Sequence, residues 1–328
     1  CPGHGMAAAP PRSIMCRREI IFTLFDDRAP SLPTRTCCVN AAGIFGLLQP
    51  GAADRKGRNL IRGPYIVTIT ADQLGRIALD AGKLIMDIYA SDFGVEHKGD
   101  ASPVTEADQR AEELILKGLA EAEPDLAVVA EESFSEGKVP EHGYRFALVD
   151  PLDGTKEFVN KNGEFTVNVA IIEHGRPVMG VVYAPAKSRL FIAESHNSAW
   201  QATAEPGGEL PTVREPLKIR PAPEAGLTAV ASKSHRSPET DEWLGKFNVA
   251  ETVGAGSSLK FCLIAAGEAD LYPRMGRTME WDTAAGHAVV EAAGGRVLTE
   301  EGTPLLYGKT GRGYDNPHFI VYGDVTPT

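Results

Sequence analysis

A short segment that runs from an apolar strand into an acidic turn constrains the fold of this chain more than any other feature. Residues 144–149 read as a buried strand, and Asp-Pro-Leu-Asp-Gly-Thr follows directly at 150–155. The next residues, 156–160, can begin a short helix whose free backbone N–H groups favour an anion. The carboxylates of Asp150 and Asp153, held around a proline bend, repel each other unless a cation lies between them. Because Mg²⁺ prefers oxygen ligands and shares them with substrate phosphate, the turn predicts a joint metal and phosphate site.

An isolated Asp-x-x-Asp-Gly sequence is more typical of an ordinary aspartate-capped turn, and the other acidic segments of the chain change that balance. Glu131 follows a short apolar strand, at the end where open α/β sheets keep their sites. Asp282 precedes a helix-prone run at 284–293, where an aspartate is either an N-cap or a ligand. Asp108 is expected in the first turn of a helix at 105–122, either as a dipole partner or as a catalytic group.

Four segments taken together resemble the signature blocks of the Mg²⁺-dependent, lithium-sensitive inositol monophosphatase superfamily. They are Val-Thr-Glu-Ala-Asp (104–108), Glu-Glu (131–132), Asp-Pro-Leu-Asp-Gly-Thr (150–155) and Trp-Asp-Thr-Ala-Ala (281–285). Within the superfamily, the sequences at 150–158, 162–168, 256–262 and 271–274 are similar to the bacterial CysQ branch, the 3'(2'),5'-bisphosphate nucleotidases. That branch removes the 3'-phosphate of 3'-phosphoadenosine 5'-phosphate to give AMP, in the setting of sulfur metabolism.

The resemblance covers the chain from about residue 69 to the C terminus and implies its fold. The expected class is α+β or α/β, a layered α-β-α-β-(α) sandwich of the inositol monophosphatase and fructose-1,6-bisphosphatase type. We expect an N-terminal α+β metal-binding half at 69–203, a linker at 204–226 and a C-terminal α/β substrate-binding half at 227–328. Residues 1–68 match nothing in the resemblance, and we expect them to be a disordered or non-native extension.

The resemblance also implies which residues hold the metal and activate water. A first Mg²⁺ would be held by Glu131, Asp150 and the backbone carbonyl of Leu152, and a second by Asp150, Asp153 and Asp282. A third, weaker ion near Glu131 would carry the nucleophile, so two to three ions and inhibition by Li⁺ are expected. Asp108 and Thr155 would form a hydrogen-bonded pair that orients and deprotonates the attacking water. The catalytic set is therefore Asp108, Thr155 and Glu131.

A further set of residues is implied to bind the substrate: Gly154, Thr155, His235, Ser257, Lys260, Arg274 and Asp282. Arg274 has the best physical basis, because its planar guanidinium suits phosphate oxygens. Lys260 can also be read as a solvated charge on a helix, and His235 as an ordinary surface histidine in a loop.

Composition and charge exclude several classes of partner. The chain has 328 residues, 43% hydrophobic and 23% charged, and a formal charge of −11, which argues against nonspecific binding to a nucleic acid polymer or an anionic membrane. No apolar run reaches the roughly 20 residues that span a bilayer. The five cysteines have no zinc-binding spacing, which favours a reducing cytoplasm, free or at the inner membrane face. The expected partner is a small phosphorylated nucleotide, and the protein is expected to be a monomer or a homodimer.

Two other functions remain open at this stage. An inositol monophosphatase, or a broad-specificity sugar phosphatase, would use the same metal core, although the sequences at 156–158 and 257–260 argue against it. A non-catalytic sensor of nucleotides or phosphoinositides would keep the pocket but not the chemistry. Against the sensor, every expected ligand and Thr155 are present.

Overall fold

The computed structural model describes residues 68–91, 103–232 and 238–327, together with the backbone of two short N-terminal strands. These strands, β1 (Ile20–Phe22) and β2 (Cys37–Val39), pair in antiparallel fashion. The chain divides into two compact units, Cys1–Val67 and Thr68–Thr328. Apart from β1 and β2, the segment expected to be an N-terminal extension lies outside the described residues, so its character stays a prediction.

A seven-stranded sheet forms the first half of the larger unit. Its strands are β3 (Val128–Ala130), β4 (Arg145–Asp153), β5 (Thr166–Glu173), β6 (Arg176–Ala184), β7 (Arg189–Ser195), β8 (Ser198–Thr203) and β9 (Glu215–Pro216). They lie side by side in chain order; β3 and β4 are parallel, and every later pair is antiparallel. Asp150 on β4 is opposite Asn168 on β5.

Alternate residues of this sheet face two different helical layers, as the period of a strand requires. Ala147 and Val149 belong to a core shared with α1 (Ala71–Tyr89) and α2 (Pro103–Ala122). Phe146 and Leu148 belong to a core shared with α6 (Leu259–Ala265) and α7 (Ala284–Ala292). Two short helices follow the strands that lead into the site: α3 (Glu131–Ser135) and α4 (Thr155–Val159).

A five-stranded sheet forms the next layer. Its strands are β10 (Leu227–Ser232), β11 (Val249–Ala255), β12 (Leu271–Arg274), β13 (Arg296–Thr299) and β14 (Phe319–Tyr322), in the order β11-β10-β12-β14-β13. One face packs on α6 and α7, and the other on α5 (Pro238–Leu244) through Trp243 and Leu244. The layers therefore alternate as α-β-α-β-α, which confirms the expected fold class.

Two local expectations were wrong. Strand β4 does not end at Val149 but continues to Asp153, with an irregular register between Asp150 and Asp153 that keeps the second aspartate in the strand. Helix α2 is already helical at Pro103, a residue suited to a first turn, so Asp108 lies in the second turn and not in the first. The helix-dipole explanation for Asp108 is weaker there, since that interaction fades beyond the first turn.

The expected linker contributes strand β9, which pairs with β8 at the edge of the larger sheet. The division of residues 69–328 into two halves and a linker stays a prediction. Among the described residues, no helix is both long and apolar enough to span a bilayer.

Candidate functional site

The buried end of β3 places the first acidic residue of the site. Strand β3 runs into α3, whose first residue is Glu131. The carboxylate of Glu112 on α2 accepts the backbone N–H groups of Glu132 and Ser133, each at 2.8 Å. These bonds satisfy free N–H groups at the start of α3 and tie it to α2. The orientation of Glu131 is thus set by a residue 19 positions earlier in the chain.

The irregular end of β4 places the next two carboxylates. Asp150 accepts the N–H of Leu152 at 3.0 Å, which closes a tight turn around the proline between them. Asp153 accepts a hydrogen bond from the side chain of Asn168 and another from the backbone N–H of Ser258. Gly154 follows with φ +97°, a left-handed conformation that L side chains rarely adopt. The glycine lets the chain turn at once from the strand into α4.

Asp282 approaches the same place from the C-terminal half. It lies one residue before the N-cap of α7, which is Thr283, so the N-cap explanation of Asp282 is wrong. Its carboxylate instead accepts the backbone N–H of Met279 at 2.8 Å, and its carbonyl accepts the hydroxyl of Ser258 at 2.6 Å. Ser258 therefore connects Asp282 to Asp153. The structure brings together carboxylates that are up to 151 residues apart in the sequence, from Glu131 to Asp282.

Burial raises the pKa of every carboxyl in this group, and repulsion from neighbouring carboxylates raises it further. Burial, followed by repulsion from Glu131, Asp153 and Asp282, raises the pKa of Asp150 well above its ordinary value. Burial and the charge of Asp153 raise the pKa of Asp282 to about 8 and that of Glu131 to about 7. The pKa of Asp153 is raised by burial and is partly held down by Lys260. The negative charge of these carboxylates must therefore be neutralised either by protons or by bound cations.

The donor set fits a hard divalent cation. Asp150 is only 1% exposed, and the neighbouring charges that act on it are all acidic. Carboxylate oxygens with this excess of negative charge are the ligands that Mg²⁺ prefers. In the described part of the chain, no three His, Cys, Asp or Glu side chains already converge as a ready-made metal site. The fit of the site to a divalent cation consequently rests on the chemistry and burial of the carboxylates. Leu152 lies between Asp150 and Asp153 in the chain.

Asp108 lies on α2 next to the acidic group. Burial and the charges of Glu132, Glu131 and Glu112 raise its pKa to about 8. Its Oδ1 atom is buried and has no hydrogen-bond partner among the described residues. Helix α2 packs against α4, which begins with Thr155. Among the described residues, no hydrogen bond joins Asp108 to Thr155. The two expected partners therefore lie on helices that pack against each other but are not hydrogen-bonded.

A polar cleft of about 270 Å³ opens beside the carboxylates. It is lined by these predicted site residues: Asp153, Gly154, Thr155, Ser257, Lys260, Arg274 and Asp282. Lys260 is 7% exposed, which rules out its being a solvated surface charge. Burial lowers its pKa to about 8, against the opposing effect of Asp153. His235 lies outside the described residues.

Two donors that face the cleft have buried polar atoms without a partner in the described ranges. They are Ser257 Oγ and Arg274 Nε. Ser257 also has a left-handed backbone, with φ +44°, which is uncommon for a residue with a side chain. Arg274 donates a hydrogen bond from Nη2 to the carbonyl of Arg277 at 3.1 Å. Unpaired donors beside a polar cleft are available to an anionic ligand.

Sequence reasoning missed two residues that support the carboxylates. Asn168 is fully buried in the otherwise apolar run 167–172 of β5, and that exception in the strand pattern was a usable signal. Ser258 links Asp153 and Asp282 through its N–H and hydroxyl, and it carried no signal because a serine before a helix reads as a cap. In the structure its side chain makes no capping bond.

Comparisons with known proteins show which family the chain resembles. Residues 69–319 match the inositol monophosphatase family. The chain is 45% identical over 252 residues to the 3'(2'),5'-bisphosphate nucleotidase CysQ of Escherichia coli O157:H7, covering 76% of this chain and 98% of the relative. It is similar to the crystal structure of CysQ from Bacteroides thetaiotaomicron, with a TM-score of 0.68, 39% identity and coverage of 78% and 97%. An inositol monophosphatase from Zymomonas mobilis gives a TM-score of 0.62 at 25% identity, with coverage of 77% and 91%.

Proposed function

The chain belongs to the inositol monophosphatase family, and from this premise we propose that it is a Mg²⁺-dependent 3'(2'),5'-bisphosphate nucleotidase. The reaction is hydrolysis of the 3'-phosphate of 3'-phosphoadenosine 5'-phosphate to AMP and phosphate. One observation carries the proposal: a single cleft is lined by the carboxylates of Asp153 and Asp282 together with the buried Lys260 and with Arg274. A substrate with two phosphates needs both kinds of group. The identity with nucleotidases of that name supports the choice of substrate.

We assign the metal ligands as the family resemblance implies them. Glu131, Asp150 and the carbonyl of Leu152 would hold one ion, and Asp150, Asp153 and Asp282 would hold another. Bound Mg²⁺ supplies a water of lowered pKa, screening of the phosphoryl oxygens and stabilisation of the leaving alkoxide. The raised pKa values of the metal-free carboxyls support this assignment, because such groups gain most from a cation.

Asp108 and Thr155 are proposed to position and deprotonate the attacking water. Thr155 begins α4 at the wall of the cleft, so its hydroxyl can orient a water molecule but is too weak a base to deprotonate it. The unpartnered Oδ1 of Asp108 is a buried acceptor for the proton. Glu131 completes the catalytic set, and its pKa is raised by burial and by the charge of Asp153.

Lys260, Arg274 and Ser257 are proposed to bind the nucleotide and its second phosphate. The ammonium of Lys260 is held 5.7 Å from the ring of Tyr272, inside the cleft wall, so its charge is directed by packing. Arg274 adds a planar donor fork on β12. Gly154 allows the phosphate to approach the N–H groups at the start of α4, and His235 is proposed to lie near the nucleoside.

A phosphate-release panel tests the proposed function. Purified protein is assayed with 3'-phosphoadenosine 5'-phosphate, inositol 1-phosphate and fructose 1,6-bisphosphate, each with Mg²⁺ and with EDTA. We expect kcat/KM to be highest for the bisphosphate nucleotide, activity to vanish with EDTA, and Li⁺ to inhibit. A preference for inositol 1-phosphate or the sugar would make the alternative phosphatase correct. Binding of nucleotide without release of phosphate would make the sensor correct.

Replacing Arg274 by alanine should raise KM for the bisphosphate nucleotide by about 10- to 100-fold, because a charge-assisted hydrogen bond contributes ~1.5–3 kcal/mol. The matched substrate is 3'-AMP, which keeps the reacting phosphate but lacks the 5'-phosphate. Steady-state kinetics on both substrates should show little change in KM for 3'-AMP. Equal damage to the two substrates would contradict the assignment of Arg274 to the second phosphate.

We further propose that the protein acts in the cytoplasm. The substrate is a free nucleotide, and the acidic chain gives no electrostatic attraction to an anionic membrane. Fractionation of cells expressing the untagged protein checks this location.

A further inference from the structure

One buried amide holds the loop that carries Asp282. Asn316, 4% exposed, lies in the segment just before β14. Its side-chain Nδ2 donates to the carbonyl of Met279 at 2.7 Å and is also within hydrogen-bond distance of the hydroxyls of Thr283 and Thr278, at 3.1 Å and 3.2 Å. All three acceptors belong to the loop at 278–283. A single side chain is therefore hydrogen-bonded to both the start and the end of this loop.

The chemistry of these acceptors fixes which way the amide points. A backbone carbonyl only accepts hydrogen bonds, so the NH₂ group of Asn316 must face Met279. The opposite orientation would place the amide oxygen of Asn316 against that carbonyl oxygen. The oxygen Oδ1 is left buried without a partner among the residues that the structure describes. An unpaired buried oxygen costs free energy. The hydrogen bonds that the NH₂ group of Asn316 donates to the loop offset this cost.

Backbone hydrogen bonds also connect the segment of Asn316 to the loop, but they do not replace the bonds of its side chain. The N–H of Asn316 donates to the carbonyl of Thr278 at 2.9 Å, and the N–H of Glu280 donates to the carbonyl of Tyr314 at 2.9 Å. These bonds set the two segments side by side. The side chain of Asn316 reaches Thr283, the residue next to Asp282, whose hydroxyl also lies 3.3 Å from that of Tyr307.

The loop that Asn316 binds carries Asp282 and two residues that line the cleft. Met279 donates its N–H to the carboxylate of Asp282, and the side chains of Thr278 and Thr283 line the cleft. If the loop shifts, the carboxylate of Asp282 moves relative to Asp153. Residues that orient a metal ligand from outside the coordination shell typically change metal affinity by about 10- to 100-fold when they are replaced.

We propose that Asn316 is a positioning residue that holds the Asp282 loop in its metal-binding arrangement, an inference that rests on the proposed function. Asn316 is not among the residues that line the cleft. Its effect passes through Met279 and Thr283 to the carboxylate of Asp282.

The test compares Asn316→Asp with wild type. Aspartate has the same shape but presents oxygen to the carbonyl of Met279, so it keeps the volume and removes the donors. Mg²⁺ binding to the folded protein is measured by isothermal titration calorimetry without substrate, and kcat and KM are measured at saturating Mg²⁺. We expect the Mg²⁺ dissociation constant to rise by about tenfold or more and kcat to fall. KM for the bisphosphate nucleotide should change less than threefold.

Leu244→Ala is the matched control for loss of stability alone. Leu244 is buried between α5 and the five-stranded sheet, in a core that contains no residue of the Asp282 loop. This variant should lower Tm while Mg²⁺ affinity and kcat stay at the wild-type values. A purely structural role of Asn316 would give the same pattern in N316D.

The positioning role is overturned if folded N316D binds Mg²⁺ and turns over substrate as wild type does. If N316D is not recovered in folded form, Asn316→Ser is measured in its place and judged by the same criteria. The calorimetric arm uses Mg²⁺ alone, so it decides the role of Asn316 even if wild type prefers a different phosphate ester. A wild-type protein that binds Mg²⁺ but does not hydrolyse the bisphosphate would contradict the proposed function. The positioning role of Asn316 would then still be decided by the Mg²⁺ affinity of N316D.

Discussion

Replacing Asp150 by asparagine is expected to lower kcat by more than about 10³-fold while the fold is kept, because removing one member of an interdependent catalytic set has non-additive effects of this size or larger. Asp150 is buried at the centre of the acidic group and is the proposed bridge between two ions. Asparagine keeps an oxygen to accept the N–H of Leu152, so the turn around the proline should survive. The measurements are phosphate release at saturating Mg²⁺ and Mg²⁺ binding by calorimetry.

Asp125→Asn is the control for this substitution. Asp125 is an exposed residue in the connection between α2 and β3, so the same chemical change there should leave both measurements unaltered. Circular dichroism should show that D150N and D125N are equally folded. Turnover of D150N within tenfold of wild type would mean that the acidic group does not carry the chemistry.

The metal-free protein is expected to become more stable as the pH falls from 8 to 6.5. Burial is the main cause that raises the pKa of Asp108 and Asp282 to about 8 and that of Glu131 to about 7. In the unfolded chain these carboxyls titrate near pH ~4, so the folded state binds more protons throughout this window. The associated stability is fully present below the unfolded pKa and is lost as the pH rises through the folded values.

The expected gain is roughly 2 kcal/mol, after allowance for coupling among the three groups, and corresponds to a rise in Tm of roughly 4–8 °C. The window stops at pH 6.5 because His287 is buried, which lowers its pKa, and its protonation would destabilise the fold at lower pH. Thermal melts in EDTA at several pH values measure the effect.

Saturating Mg²⁺ should reverse this dependence, because the ions bind the ionised carboxylates. At 100 times its dissociation constant, a single bound ion would add about 2.7 kcal/mol of stability. The variant D282N, which lacks one of the titrating groups, should show a shallower dependence in EDTA than wild type. A Tm in EDTA that is flat, or that falls as the pH is lowered from 8 to 6.5, would contradict the raised pKa values.

One part of the candidate site could be predicted from sequence because it is local. Asp150, Asp153 and Gly154 occupy one turn at the end of an apolar strand, and this combination of residue types is informative before any folding is considered. The supports of the site could not be found in this way. Asn168 and Ser258 bind Asp153 from 15 and 105 residues away in the sequence, and Asn316 binds Thr283 from 33 residues away. A local sequence pattern contains no information about such partners.

The fold shows the same division between local and distant information. The family resemblance implies alternating layers of helices and sheets, and the order of the layers in the structure agrees with it. The extension of β4 to Asp153 was missed because a proline and two aspartates normally end a strand. Pairing with β5 on the far side of the irregular step, where Asp153 lies opposite Thr166, keeps the chain extended.

The amino-acid sequence by itself determines the donor chemistry of this protein: which carboxylates, which lysine and which arginine are available, and next to which strands and helices they occur. The tertiary structure determines that these groups meet, that Lys260 is buried and not solvated, and that Asp282 is held by Met279 and not used as a helix cap. The physical reason is that desolvation and repulsion between charges depend on distance through space. That distance is set by the packing of the α1–α2 and α6–α7 layers on the two faces of the seven-stranded sheet.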